Sequence, residues 1–348
     1  MTDSTEPSGG DPGLADDEAS PSGSLRLPPG GSIFTIEGRA APGLYFVGWI
    51  GSIMGLATLL VGTLAGGGSS AIVLTTAGAA LLSLGLVAAA GSQAIERRLR
   101  AGVAHTVYVG PSPFLVFGAS LPLTLLFVII LIAPAVALGL DARSPAASLL
   151  SLLATAAVYL GLIRLLVVGP AALTWREMGV GRFRSAALGD LAQGAVLALP
   201  ILVVTYVLAA LLVGVLGTSP ESPLPPPGNA LGFALNLIAA AIVTPIGEEV
   251  FFRGFSTTAW AQGMGAQRGL LRGAIFFAFV HVLTIGGATF GEAAAHALIA
   301  FVVRLPVSFA LGWVFLQRRS IYASIGLHAM YNGFLVILAE LAARSFGG

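Results

Sequence analysis

Glu248 and Glu249 stand side by side where a long apolar run, residues 229–246, gives out, and Arg253 follows close behind. Glu249 and Arg253 are four residues apart with the acid first, the favourable order for a helical ion pair. Glu248 is turned about 100° away around the same helix. One carboxylate can therefore be held by Arg253 while its neighbour points elsewhere, free for acid–base chemistry. Further along, His281 follows Phe277 by four residues, and the amide Asn332 follows His328 by four. Each pair shares a helix face. Imidazoles and a carboxylate can move protons, and imidazole and amide groups can donate to a developing oxyanion.

These groups lie in greasy surroundings. The chain of 348 residues is 56% hydrophobic and 9% charged, with mean hydropathy +0.92, whereas a soluble domain carries about 25% charged residues. Nine apolar segments can be read, at 44–65, 70–90, 113–140, 147–173, 192–216, 229–250, 273–285, 293–316 and 321–343. Most reach the ~20 residues that cross a bilayer. The expected fold is all-α: a polytopic transmembrane helix bundle of about nine spans behind a disordered polar tail. Residues 1–43 form that tail, rich in Gly, Pro, Ser, Asp and Glu and too poor in apolar surface to fold alone. Residues 44–173 read as a four-helix membrane region and residues 174–348 as a membrane core that carries the polar groups named above.

Every basic residue is Arg. Arg97, Arg98 and Arg100, then Arg176, Arg182 and Arg184, then Arg253, Arg268 and Arg272, and finally Arg318 and Arg319 fall in alternate inter-segment stretches. Basic residues are retained on the cytoplasmic side, so a multi-pass protein of the cell membrane is expected, with its N-terminus cytoplasmic and its C-terminus outside. In that orientation His281 lies about 13 Å, His328 about 10 Å and Asn332 about 16 Å from the inner ends of their segments. Three helices thus bring polar groups to one level. An ionisable group at mid-span costs about 2.5–3.5 kcal/mol, which makes each a functional candidate. Arg164 and Arg304 are read as snorkelling or paired, and His105 and His296 as loop or helix-end residues.

A net charge of +1 and the lack of a basic stripe exclude a nucleic-acid partner, and the absence of Cys excludes thiolate chemistry and disulfides. No Asp lies inside any segment, which removes an aspartyl pair, and Gly67–Ser70 has no partnered His.

The stretch Glu248–Arg253 fits EExxxR, Phe277–His281 fits FxxxH and His328–Asn332 fits HxxxN. In that order on three membrane helices, they resemble the CAAX protease and bacteriocin-processing family (CPBP, or ABI), which includes the type II CAAX prenyl endopeptidases. The resemblance covers about residues 192–348. It implies an intramembrane glutamate-dependent endopeptidase in which Glu248 and His281 activate a water. His328 and Asn332 would stabilise the oxyanion, and Glu249, Arg253 and Phe277 would support the site. The substrate would be a membrane-associated protein or peptide near the cytoplasmic face, and no cofactor is expected. The alternative is zinc held by Glu248, His281 and His328, ligands that zinc accepts. Outside enzymes, the rival readings are a bacteriocin self-immunity factor, a scaffold or a transporter. Oligomeric state is not legible in the sequence.

Overall fold

A computed structural model describes residues 38–104, 108–220 and 222–346. Most of the tail expected over residues 1–43, and His105, lie outside the described residues. Among those described, every regular element is helical. Nine helices follow one another: α1 Pro42–Leu64, α2 Ser69–Ala104, α3 Pro113–Ala137, α4 Pro145–Val168, α5 Ser185–Leu216, α6 Ala230–Met264, α7 Ala266–Val280, α8 Phe290–Arg318 and α9 Ile321–Phe346.

Local chemistry sets the boundaries. Pro42, Pro113 and Pro145 occupy first turns, where a missing N–H costs nothing. Ser144 caps α4 by accepting from the Ala147 N–H at 3.3 Å, and Asn229 caps α6 through the Gly232 N–H at 2.9 Å. Thr289 accepts from the Glu292 N–H at 3.2 Å, while the Glu292 carboxylate reaches back to the Ala288 N–H at 2.8 Å. The break between α6 and α7 falls at Gly265, whose φ of 89° suits glycine.

Eight of these helices are long and apolar enough to cross a membrane. The seventh apolar segment differs: α7 has 15 residues, about 22 Å of helix, and ends just before His281. The second segment also runs further than its apolar residues suggest. Arg97, Arg98 and Arg100 ride on the last turns of α2 rather than in a loop. Arg253, expected between segments six and seven, lies inside α6 and is buried.

Two apolar clusters organise the bundle. One is aromatic, joining Phe117 of α3, Tyr159 of α4, Phe251, Phe252, Phe255 and Trp260 of α6, and Phe276 and Phe277 of α7. Edge-on and tilted ring pairs with centroids 4.6–6.1 Å apart run through it. The other joins α5, α8 and α9 through Ala198, Leu202, Val307, Leu311, Leu327 and Tyr331. In this second region α9 crosses α5 at glycine: a Cβ on Gly194 would strike the Ala323 carbonyl, and one on Gly326 the Leu191 carbonyl. The α1–α2 hairpin closes by the same device. Gly48, Gly55 and Gly62, spaced by seven, lie against Ala89, Leu82 and Thr75, and Gly78 and Gly85 face back to Leu59 and Ser52. Small residues allow the close helix approach that stabilises bundles in lipid.

Candidate active site

The helix that carries both glutamates is wound unevenly. Two stretches of α6, Ala239–Val243 and Val250–Thr257, adopt the wider π turn, and the α-helical turn Thr244–Glu249 lies between them. Pro245 accounts for the first. It has no N–H to give the preceding turn. The Thr244 N–H reaches back to the Ala239 carbonyl, and in that register the donor for Ala240 would be residue 245 itself. The Asn332 Nδ2 supplies the missing donor, bonding to the Ala240 carbonyl at 3.0 Å. In the second stretch, the Thr257 and Thr258 hydroxyls donate to the carbonyls five residues back, at 2.8 and 3.3 Å. Such turns are rare and concentrate at functional sites.

The two glutamates diverge as their spacing requires. Glu249 is fully buried, and its Oε1 accepts from Arg253 Nη1 at 2.8 Å and from His328 Nδ1 at 2.8 Å. Arg253, equally buried, also donates to the Ser308 carbonyl at 3.3 Å and lies 4.0 Å from the centre of the Phe277 ring. Phe277 is thus a shared wall: its other contacts include the His281 ring, centroid to centroid at 4.4 Å, and the His328 ring at 5.8 Å.

Glu248 faces a different group of atoms. Its Oε2 lies 3.7 Å from His281 Nε2 and 3.8 Å from His328 Nε2, and no protein donor bonds to it. The tautomers follow from the partners. His281 Nδ1 is 2.7 Å from the Phe277 carbonyl, which can only accept, so Nδ1 carries the proton. His328 Nδ1 faces the Glu249 carboxylate and does the same. Both Nε2 atoms are then acceptors when the rings are neutral. Two acceptor nitrogens thus lie within 3.8 Å of one oxygen of a partly accessible carboxylate, an arrangement suited to a water that donates protons. Glu248, His281 and His328 are also the side chains that a zinc ion would use. Among the described residues, no group of three or more His, Asp or Glu is arranged to hold a metal ion.

The structure brings Glu248, Glu249, Arg253, Phe277, His281 and His328 together. It places Asn332 one turn beyond His328 with its amide turned to backbone. One contributor was not singled out in the sequence, and one was read differently. Tyr159 of α4 lines a narrow cleft with Glu248, Thr155, Ala156 and Gly247; its signal was a lone Tyr on an apolar helix. Arg304 of α8, expected to snorkel or pair, sits at mid-helix on a buried face, near enough for its charge to act on Glu248 and His281. His296 lies elsewhere: it bonds Thr218 at 2.7 Å and the Gly286 carbonyl at 2.9 Å, pinning the loop before α8 to the end of α5.

Comparison with known proteins bears on this region. No protein of curated function and no solved structure matches the chain. Residues 230–334 match the family described as type II CAAX prenyl endopeptidase Rce1-like. That stretch opens with α6 and closes two residues after Asn332, so it contains all the motif-bearing side chains above. Over this segment, the chain is similar to the type II CAAX prenyl endopeptidases.

Proposed function

We propose that the protein is an intramembrane endopeptidase that hydrolyses a peptide bond with a water activated by Glu248 and His281. The observation that carries this reading is the convergence of the Glu248 carboxylate and two imidazole Nε2 atoms within 3.8 Å. A water donating into that set loses a proton to Glu248 as its oxygen adds to the scissile carbonyl carbon. The carbonyl oxygen becomes an oxyanion. His328 donates to it from Nε2 when it carries a second proton, its charge balanced by Glu249 on the opposite side of the ring. Asn332 contributes the amide hydrogen not used by Ala240. The proton held on Glu248 then passes to the leaving nitrogen as the C–N bond breaks, so the same carboxylate serves as base and then acid. No covalent intermediate is required.

Residues 174–348 carry the site in this proposal. α3 and α4 wall it through the aromatic cluster, and the α1–α2 hairpin is accessory. With the short α7 counted as a ninth crossing, the N-terminus lies in the cytoplasm and the C-terminus outside, and the substrate is a membrane-associated protein or peptide. The test is purified full-length protein in lipid nanodiscs with a proteome-derived peptide library. New peptide termini should appear with the wild type and vanish with Glu248→Gln. Equal products from both proteins, or none from either, would favour the non-catalytic scaffold or immunity reading.

A further inference from the structure

Arg304 lies as far from Phe290 as from Arg318, at the midpoint of α8. That is about 21 Å from either end of the helix, where a guanidinium is costly in lipid. It does not face lipid. The residues that share its helix face, Ala300, Val307, Ser308 and Leu311, are all buried. Ser308 is the residue whose carbonyl accepts from Arg253. Arg304 lies one turn before Ser308 on this face, so the same side of α8 that meets Arg253 also carries Arg304.

The two inward-facing arginines are served very differently. Arg253 has a carboxylate, a carbonyl and an aromatic face. Arg304 donates from Nη1 to the Ala300 carbonyl at 3.1 Å, and among the described residues it forms no ion pair. Glu248 acts on this half-buried cation only at a distance, so its burial is incompletely compensated. Its free edge offers the planar fork that matches a carboxylate bidentately. Glu248 does not fill that role, since its Oε2 has no protein donor.

We infer that Arg304 anchors a carboxylate of the substrate, so that the peptides taken are those bearing an acidic group, terminal or side-chain, near the bond to be cut. The identity of the bound molecule rests on the endopeptidase reading above; the anion site itself does not. A peptide spanning from Glu248 on α6 to Arg304 on α8 would present its carbonyl to the first and its carboxylate to the second.

The probe is a set of three synthetic random twelve-residue peptide libraries. One has a free C-terminus and no Asp or Glu, one is amidated and contains Asp and Glu, and one is amidated and lacks both. Each is passed over immobilised full-length Glu248→Gln protein in nanodiscs, which binds without turnover. At least tenfold greater retention of one acidic library over the uncharged one is expected, and the library retained identifies the source of the carboxylate. Adding Arg304→Gln should bring retention down to the uncharged level. Equal retention of all three libraries overturns the proposal without recourse to any Arg304 variant, as does an acidic preference that survives Arg304→Gln. Cleavage by the wild type is read separately. Carboxylate-dependent retention without cleavage would remove the hydrolase and leave the site. Cleavage without carboxylate preference would remove the site and leave the hydrolase.

Discussion

Glu249→Gln separates the carboxylate that holds the bundle from the one that reacts. Glu249 accepts two bonds at one oxygen, from Arg253 and His328, each 2.8 Å long. Its side chain is 0% exposed and that of Arg253 2%, so solvent screens neither charge. Hydrogen bonds to charged groups are each worth about 1.5–3 kcal/mol, and removing one member of a buried ion pair costs about 3–5 kcal/mol. Glutamine keeps an acceptor oxygen but no charge, and Arg253 retains the Ser308 carbonyl and the Phe277 ring. A loss of about 2–4 kcal/mol is therefore expected. Glu248→Gln removes a charge whose Oε2 accepts nothing from the protein, so it should leave stability unchanged or slightly raised. Reversible unfolding in mixed micelles with increasing sodium dodecyl sulfate measures both. A Glu249→Gln protein within 0.5 kcal/mol of wild type, or a Glu248→Gln protein less stable than it, would refute the division of labour.

Further outcomes follow from the same geometry. Asn332→Ala leaves the Ala240 carbonyl without its donor and should cost about 1–3 kcal/mol; Pro245→Ala restores a backbone N–H and should recover part of that loss in a double-mutant cycle. Gly194→Val should drive α5 from α9 at Ala323, lowering folded yield on gel filtration far more than the same change at Gly189, whose Cβ would meet nothing. His281→Ala should reduce cleavage by about 10²–10⁴, the range for a positioned acid–base group, with an unfolding midpoint near that of the wild type. Chelator treatment should leave cleavage intact, whereas loss restored by added zinc would turn the mechanism toward the metal alternative.

Much of the site could be read from spacing because i,i+4 pairs survive any packing. Glu249 with Arg253, and Phe277 with His281, meet as the sequence indicates. The bond between His328 and Glu249 could not be read, since residues 79 apart share no periodicity. Asn332 was harder still: its partner carbonyl is freed only by the wide turn before Pro245, and nothing in an alanine run announces that register. Arg253 fits two patterns at once, the helical partner of Glu249 and a basic residue between segments, because a charge beside apolar residues marks a membrane boundary as readily as an interior pair. Arg304 shows the converse case, since snorkelling cannot be told from an inward-facing charge until the neighbouring helix is in place.

The glycine seam between α1 and α2 has a consequence for biogenesis. Its contacts need no residue beyond the second span, and α1 leans mainly on α2. Because chains emerge from the N-terminal end, this pair can settle in the bilayer while the remaining spans are still being synthesised. α9, which delivers His328, follows the other eight described helices, so the acid–base apparatus is incomplete until that helix has been made.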